Sequence, residues 1–181
     1  MIFISAGHNT GGLKPDPGAV ANGHTEAKLA VEIRDLVVKE LRKDNSLKIV
    51  TDNDDERLGE YLSRIKTGNG SVVLEFHFDA ASPTATGTTI LVEAEADRLD
   101  KAFAKEIVDK TAEILKIKNR GVKSETDSHR GKLGLMREEG IIALLEVGFI
   151  TNVSDIKAFK ENKEVLAVEL AKIIKKYENL I

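Results

Sequence analysis

The sequence predicts a single α/β domain with a twisted, mixed (mostly parallel) central sheet of about six strands flanked by helices, phosphorylase/hydrolase-like in class. Two observations carry this prediction. Short continuous runs of aliphatic and β-branched residues recur along the chain, as in strands buried on both faces. Segments with apolar residues at helical spacing lie between those runs. Because 181 residues fit one domain, we assign residues 1–181 to it.

The individual elements follow from these patterns. Five apolar runs predict strands, at residues 1–5, 47–51, 72–78, 88–93 and 141–147. Apolar residues repeat on one face of three predicted helices, within residues 29–41, 103–115 and 164–177. The Gly- and Pro-rich residues 7–23 predict a long loop, a feature that in compact domains is usually functional or disordered. The polar residues 122–132 predict a mobile surface loop.

Composition excludes several classes of protein. The net charge of −3 argues against nucleic acid or an anionic membrane as the main partner. Since the chain has no cysteine, any metal must take His, Asp or Glu ligands. The N-terminal apolar run is short and lacks preceding basic residues, so we expect no signal peptide. No run approaches the roughly 18 apolar residues of a membrane span, so we expect cytoplasmic synthesis without membrane insertion.

Polar residues stand at the ends of predicted strands, where open α/β sheets bind ligands. His8 follows the first strand, His77 ends the third and Glu146 comes late in the last. Taken alone, either histidine is more often a hydrogen-bonded core residue. Glu26, at the start of the first helix, is alone more often a surface acid that complements the helix dipole. Glu146 differs, because a carboxylate within an apolar strand costs several kcal/mol unless it is paired, so it belongs to a functional site or a salt bridge.

Taken together, these residues resemble the donor set of a catalytic zinc site. Two neutral imidazoles and one carboxylate are the protein ligands of many such sites, whose fourth position is left for water. A carboxylate that does not bind the metal can transfer the proton, and Glu146 suits that role. Glu75 lies two residues before His77 and therefore on the same strand face, so we interpret it as a partner of that histidine.

At this point the residues resemble a known family, the zinc-dependent N-acetylmuramoyl-L-alanine amidases of the amidase-3 type. The similarity covers nearly the whole chain in order and spacing. The family's opening strand, Gly-His, Asp-Pro-Gly-Ala and Glu is similar to ISAGHNTGGLKPDPGAVANGHTE, and its strand with a zinc-binding histidine is similar to VVLEFHFDA. Its most specific element, Glu-x-Gly-Phe-x-x-Asn, is similar to IIALLEVGFITNVSD.

The resemblance implies a function for the whole domain, residues 1–181, as an amidase catalytic domain. It implies hydrolysis of the amide between N-acetylmuramic acid and L-alanine in peptidoglycan. It implies one zinc ion per chain, with the ligands His8, Glu26 and His77. It implies that Glu146 is the catalytic acid/base. Substrate binding is expected of three further residues: Asp16, Arg137 and Asn152.

The chain also departs from the family pattern. Its first loop is longer than usual, and Asp79 stands where asparagine is commoner. His24 is an alternative ligand, but the family pattern favours Glu26. We expect His129 to be solvated, with substrate binding as the alternative, and for Arg137 a solvated surface position is the alternative to binding a stem-peptide carboxylate.

The expected partner is peptidoglycan, and we expect a monomer. A phage or prophage endolysin, released to the wall after synthesis, is the favoured origin, with a piece of a longer wall hydrolase or a leaderless bacterial amidase as alternatives. The alternative functions are a module that binds peptidoglycan fragments without cutting them and a zinc peptidase or carboxypeptidase that cuts within the stem. Because FHFDAASPTATGTT leaves no room for an inhibitory lid, we expect constitutive activity.

Overall fold

The computed structural model describes residues 1–128 and 131–181. In chain order, its strands are β1 (Ile2–Ala6), β2 (Val20–Ala21), β3 (His24–Thr25), β4 (Ile49–Thr51), β5 (Val72–Asp79), β6 (Thr88–Val92), β7 (Asn119–Ser124) and β8 (Ile141–Phe149). Its helices are α1 (Glu26–Leu41), α2 (Leu58–Arg64), α3 (Arg98–Leu115) and α4 (Val153–Glu178). Short 3-10 helices span Glu125–Asp127 and Leu135–Arg137. None of the described helices is long and apolar enough to cross a membrane.

The central sheet has six strands in the order β4-β1-β5-β8-β6-β7. All neighbouring pairs are parallel except β6 and β8, which run antiparallel. The predicted mixed, mostly parallel sheet is therefore confirmed, and so is each of the five strands predicted from apolar runs. The two short strands β2 and β3 form a separate antiparallel pair within the long N-terminal loop.

One prediction was wrong. Residues 122–124 do not belong to a loop but to β7, and residues 125–127 form a 3-10 helix. β7 is an edge strand paired only with β6, and its sequence NRGVKS is half-buried to exposed. An edge strand needs no continuous apolar run, so hydrophobicity gave no signal for it.

The two faces of the sheet are covered unequally. On one face α1, α3 and α4 bury the larger core, with Ile4 and Leu74 among the strand residues. On the other face α2 and the second 3-10 helix cover a smaller cluster around Tyr61. Because strand side chains alternate between faces, Val73 of the smaller cluster shares its face with His77. The candidate site residues of β5 and β8 therefore lie on the thinly covered face, near the carboxyl ends of parallel strands.

Candidate metal centre

The fold brings His8, Glu26 and His77 together. His8 lies just after β1, Glu26 is the first residue of α1 and His77 lies near the end of β5. One nitrogen or oxygen atom from each residue lies within 4.8 Å of the corresponding atoms of the other two. Glu26 and His77 are buried and His8 is half-buried, so the cluster is partly closed to solvent.

Glu26 stands between the two histidines. Its Oε1 lies 2.8 Å from His77 Nδ1, and its Oε2 lies 3.1 Å from His8 Nε2. The carboxylate also accepts the backbone N–H groups of Ala19 at 3.0 Å and Phe78 at 3.3 Å, which fix its orientation. One nitrogen of each ring therefore faces the same carboxylate.

The second nitrogen of each ring contacts another carboxylate. His77 Nε2 lies 3.0 Å from Glu75 Oε1, and Ser5 Oγ donates a hydrogen bond of 3.0 Å to Glu75 Oε2. His8 Nδ1 lies 2.9 Å from Asp16 Oδ2. The Glu75 side chain is 3% exposed, whereas that of Asp16 is 59% exposed, so the two contacts differ in their access to water. The predicted pairing of Glu75 with His77 is present in the structure.

Two glycines make room for the cluster. A Cβ atom at Gly7 would lie 2.1 Å from Cε1 of His77, and one at Gly18 would lie 2.6 Å from both Glu26 Oε2 and His8 Cδ2. His8 itself has a left-handed backbone with φ of 66°, which turns its ring from the end of β1 towards α1. The glycines of the long N-terminal loop therefore serve close approach at Gly7 and Gly18.

The carboxylates and imidazoles shift each other's pKa values. Burial raises the pKa of Glu26, but the close contacts and charges of His77 and His8 outweigh burial and hold that pKa far below its usual range. Burial lowers the pKa of His77, but Glu26 and Glu75 outweigh burial and raise it to about 10. The pKa of His8 is raised in the same way, against burial, by Glu26 and Asp16. Without a metal, the carboxylates therefore favour the protonated, positively charged forms of His77 and His8.

The donor set fits a divalent cation of the zinc type. Two imidazole nitrogens and one carboxylate oxygen lie within 4.8 Å of one another, and no thiolate donor is available in a chain without cysteine. The buried Nε2 of His8 lies 3.1 Å from Glu26 Oε2 as an ion-pair contact and makes no hydrogen bond to the described residues. A buried nitrogen lone pair that points into such a cluster is suited to metal coordination.

Glu146 lies beside this cluster. It pairs in register with His77 across β5 and β8, so the two side chains project from the same face of the sheet. Its negative charge contributes to the raised pKa of His77. Glu146 also lines a cavity of about 260 Å³ that opens on the side of β6 and β7. A carboxylate between a candidate metal centre and an adjoining cavity is of the kind that general acid/base catalysis uses.

Comparison with known proteins identifies the family. The family profile Amidase_3, N-acetylmuramoyl-L-alanine amidase, matches residues 2–176. The chain belongs to the N-acetylmuramoyl-L-alanine amidase family. It is therefore an enzyme of the amidase class, a hydrolase of peptidoglycan amide bonds.

Individual relatives agree with this assignment. A putative N-acetylmuramoyl-L-alanine amidase from Neisseria meningitidis is 30% identical in sequence, and its crystal structure has a TM-score of 0.78 over 97% of this chain and 93% of that chain. The uncharacterized protein YqiI of Bacillus subtilis is 27% identical over 85% of this chain and 72% of YqiI. The amidase LytC of the same bacterium is 28% identical over 88% of this chain, which spans 31% of LytC.

The other predicted site residues have different surroundings in this amidase fold. Asn152 caps α4, since its side-chain oxygen accepts from Ser154 and Asp155 and its amide donates to Pro83 and Ala85. These contacts use the side chain to hold two loops together.

Arg137 is exposed in the second 3-10 helix and lines none of the cavities near Glu146. His24 lies in β3, outside the ligand group. Asp79 lines the cavity beside Glu146. His129 lies outside the described residues.

Arg120 is the residue near the site that sequence reasoning missed. It lies in β7 and lines the same cavity as Glu146. β7 was not predicted as a strand, so nothing in the apolar pattern placed this arginine at the sheet edge beside the site. An arginine within an edge strand whose pairing with β6 is recognised would be such a signal.

Proposed function

We propose that this amidase is zinc-dependent and that His8, Glu26 and His77 hold the metal. The observation that carries the proposal is the convergence of three donor atoms within 4.8 Å, with one nitrogen of each ring turned towards Glu26. When bound, a zinc ion would polarise the carbonyl of the scissile amide and lower the pKa of a water molecule to about 7.

Glu146 is the proposed acid/base. Its carboxylate accepts a proton from the attacking water as the new C–O bond forms at the lactyl carbonyl. It then delivers that proton to the nitrogen of L-alanine as the C–N bond breaks, which leaves a muramic acid carboxylate and a free amino terminus. The register of Glu146 with His77 supports this role, because it places the carboxylate next to the metal ligands without making it one of them.

Glu75 and Asp16 orient the two histidine ligands. A ligating histidine commonly donates its other ring N–H to a carboxylate, which fixes the tautomer and strengthens the donor nitrogen. Glu75 would accept from His77 Nε2 and leave Nδ1 for the metal, while Asp16 would accept from His8 Nδ1 and leave Nε2. We therefore propose a positioning role for Asp16, in place of the substrate contact expected from the sequence.

The catalytic domain is proposed to comprise residues 1–181, with peptidoglycan as substrate and a monomer as the active form. Origin in a phage or prophage lysis system, and release to the wall after cytoplasmic synthesis, stay predictions of the sequence. The domain's fold supports the proposed extent, since the larger core joins β1 near the N-terminus to α4 near the C-terminus.

Digestion of purified peptidoglycan tests the proposal. The zinc-loaded protein is expected to release stem peptides that begin with a free L-alanine amino group, and a chelator is expected to stop the release. Cleavage within the stem would instead indicate a peptidase. Intact wall material, with zinc bound to the protein, would indicate a binding module, and full activity in chelator would refute the metal dependence.

A further inference from the structure

The cavity beside Glu146 has a mixed electrostatic lining. Arg120 and Lys123 contribute positive charge, and Glu146, Asp79 and Asp127 contribute negative charge. Both aspartates are already engaged, since Asp79 accepts the backbone N–H of Ala80 at 2.8 Å and Asp127 accepts that of Ser124 at 3.3 Å. The two cations are therefore the groups of this lining that remain most open to a ligand.

Arg120 has hydrogen-bonding capacity that the described protein leaves unused. Its guanidinium lies over the Phe149 ring in a cation–π contact, with Cζ 5.1 Å from the ring centroid. Nη1 makes a long hydrogen bond of 3.4 Å to the backbone carbonyl of Thr86. Its buried Nε has no hydrogen-bond partner among the described residues. Since a guanidinium carries five N–H donors, most of them remain for a ligand.

We propose that Arg120 binds a carboxylate of the stem peptide, so that the cavity is the subsite for the residue that follows L-alanine. This inference rests on the proposed amidase function. A planar guanidinium matches a carboxylate by two parallel hydrogen bonds. On the glycan side of the scissile bond, the lactyl carboxyl group is consumed in the amide itself. In a stem whose second residue is a glutamate linked through its γ-carboxyl group, the free α-carboxylate of that residue is the carboxylate nearest to the reacting bond.

The strand spacing and the length of a peptide residue agree with a stem peptide that runs from Glu146 to Arg120. β8 and β7 flank β6 in the sheet, so their backbones lie about 10 Å apart at the usual strand spacing. An extended peptide advances about 3.5 Å per residue, which puts a carboxylate of the second stem residue about 7 Å from the scissile amide. The length of the Arg120 side chain covers the remaining distance. The stem peptide is thus proposed to cross β6 from Glu146 towards β7, with the glycan on the His8 side.

Two soluble substrates test the subsite. Both are N-acetylmuramoyl-L-alanyl-γ-D-glutamyl peptides, and they differ only in a free α-carboxylate or an α-carboxamide on the second residue. The wild-type chain is expected to favour the acid in kcat/KM by roughly 10- to 100-fold, the range of a charged hydrogen-bonded pair. Arg120→Gln is expected to abolish the preference, and Arg120→Lys to retain part of it. Arg98→Gln removes the same charge at an exposed position of α3, outside the cavity, and is expected to keep it.

A binding measurement separates this subsite from the amidase proposal. Calorimetry with chelator-treated protein compares the affinities of the same two peptides without turnover. If the wild type cuts neither peptide but binds the acid more tightly, and Arg120→Gln loses that difference, the amidase proposal fails and the subsite stands. Equal affinity and equal turnover for acid and amide in the wild type would overturn the subsite. A preference for the acid that survives in a folded Arg120→Gln variant would also overturn the subsite. So would the absence of measurable binding of either peptide to the wild type.

Discussion

At the scale of single residues, the site depends on the carboxylates that surround two imidazoles. Glu26 contacts both rings, and its low pKa keeps it ionised at neutral pH. Glu75 and Asp16 contact the outer nitrogens of His77 and His8, one in a buried environment and one in an exposed environment. Because solvent weakens exposed charge pairs much more than buried ones, the two outer carboxylates have unequal effects.

We expect Glu75→Gln to lower the zinc affinity of the chain by about 10- to 100-fold, because the neutral amide holds His77 less well and makes its donor nitrogen less basic. Asp16→Asn is expected to have a smaller effect, since Asp16 is exposed. Competition with a chromogenic chelator measures both affinities. Asp155→Asn removes another buried carboxylate, one that holds Gly87 and Phe149, and serves as the control for general destabilisation. An affinity loss in Asp155→Asn as large as in Glu75→Gln would refute the positioning role.

The metal-free chain is expected to lose stability as the pH rises from about 6.5 to 10. The pKa of His77 is raised in the folded state from 6.5 to about 10, so its contribution to stability is complete below the lower value and disappears as the pH passes the higher one. Thermal unfolding in chelator across this range measures the effect. His77→Gln is expected to show a flatter dependence of Tm on pH, and an identical slope in both proteins would contradict the assignment.

At the scale of elements, the strands and helices that bury apolar side chains are the ones that the sequence predicts. The five apolar strands and the three amphipathic helices were predicted, because each buries a continuous run or a stripe of apolar side chains. β7 was not, because an edge strand with the sequence NRGVKS buries little. In the site, His8, His77 and Glu146 could be placed from strand ends alone. The relation of Glu26 to them could not, since it depends on how residues 7–25 fold back from β1 to α1.

Gly7 is expected to be essential to the site because it lets the backbone after β1 pass close to the His77 ring. A Cβ atom there would overlap the His77 ring, so Gly7→Ala should displace one ligand and reduce zinc affinity at least about tenfold. Gly59→Ala is the matched control, because a Cβ atom in that helix meets nothing within 4 Å. It should leave zinc affinity unchanged and, as a substitution in a helix, slightly raise Tm. Normal zinc affinity in Gly7→Ala would show that the close approach is dispensable.

At the scale of the whole molecule, the larger hydrophobic core and the candidate site lie on opposite faces of the sheet. The three longer helices and the larger core lie behind the sheet, while the site residues lie on the face covered by α2 and a 3-10 helix. A cluster of charged groups is thus supported by an apolar layer without being enclosed by it. The same face carries, strand by strand, His8 after β1, His77 on β5, Glu146 on β8 and Arg120 on β7.

The open face predicts activity without an activator. Only residues 80–87 connect β5 to β6 beside the site, and no helix is assigned in this segment that would cover the proposed metal ligands. The purified, zinc-loaded chain should therefore cleave peptidoglycan at its full rate on its own. Turnover measured alone and after addition of extracts of lysing bacterial cells would test this, and activity that depends on the extract would contradict it.

The most direct measurement of the central claim is the zinc content and the amidase turnover of Glu146→Gln in the same preparation. Wild-type zinc content is expected, since Glu146 lies outside the proposed ligand group, and turnover is expected to fall by about 10²- to 10⁴-fold, the usual contribution of a general acid/base. Near-normal turnover would remove Glu146 from the chemistry, and loss of zinc would make it a ligand.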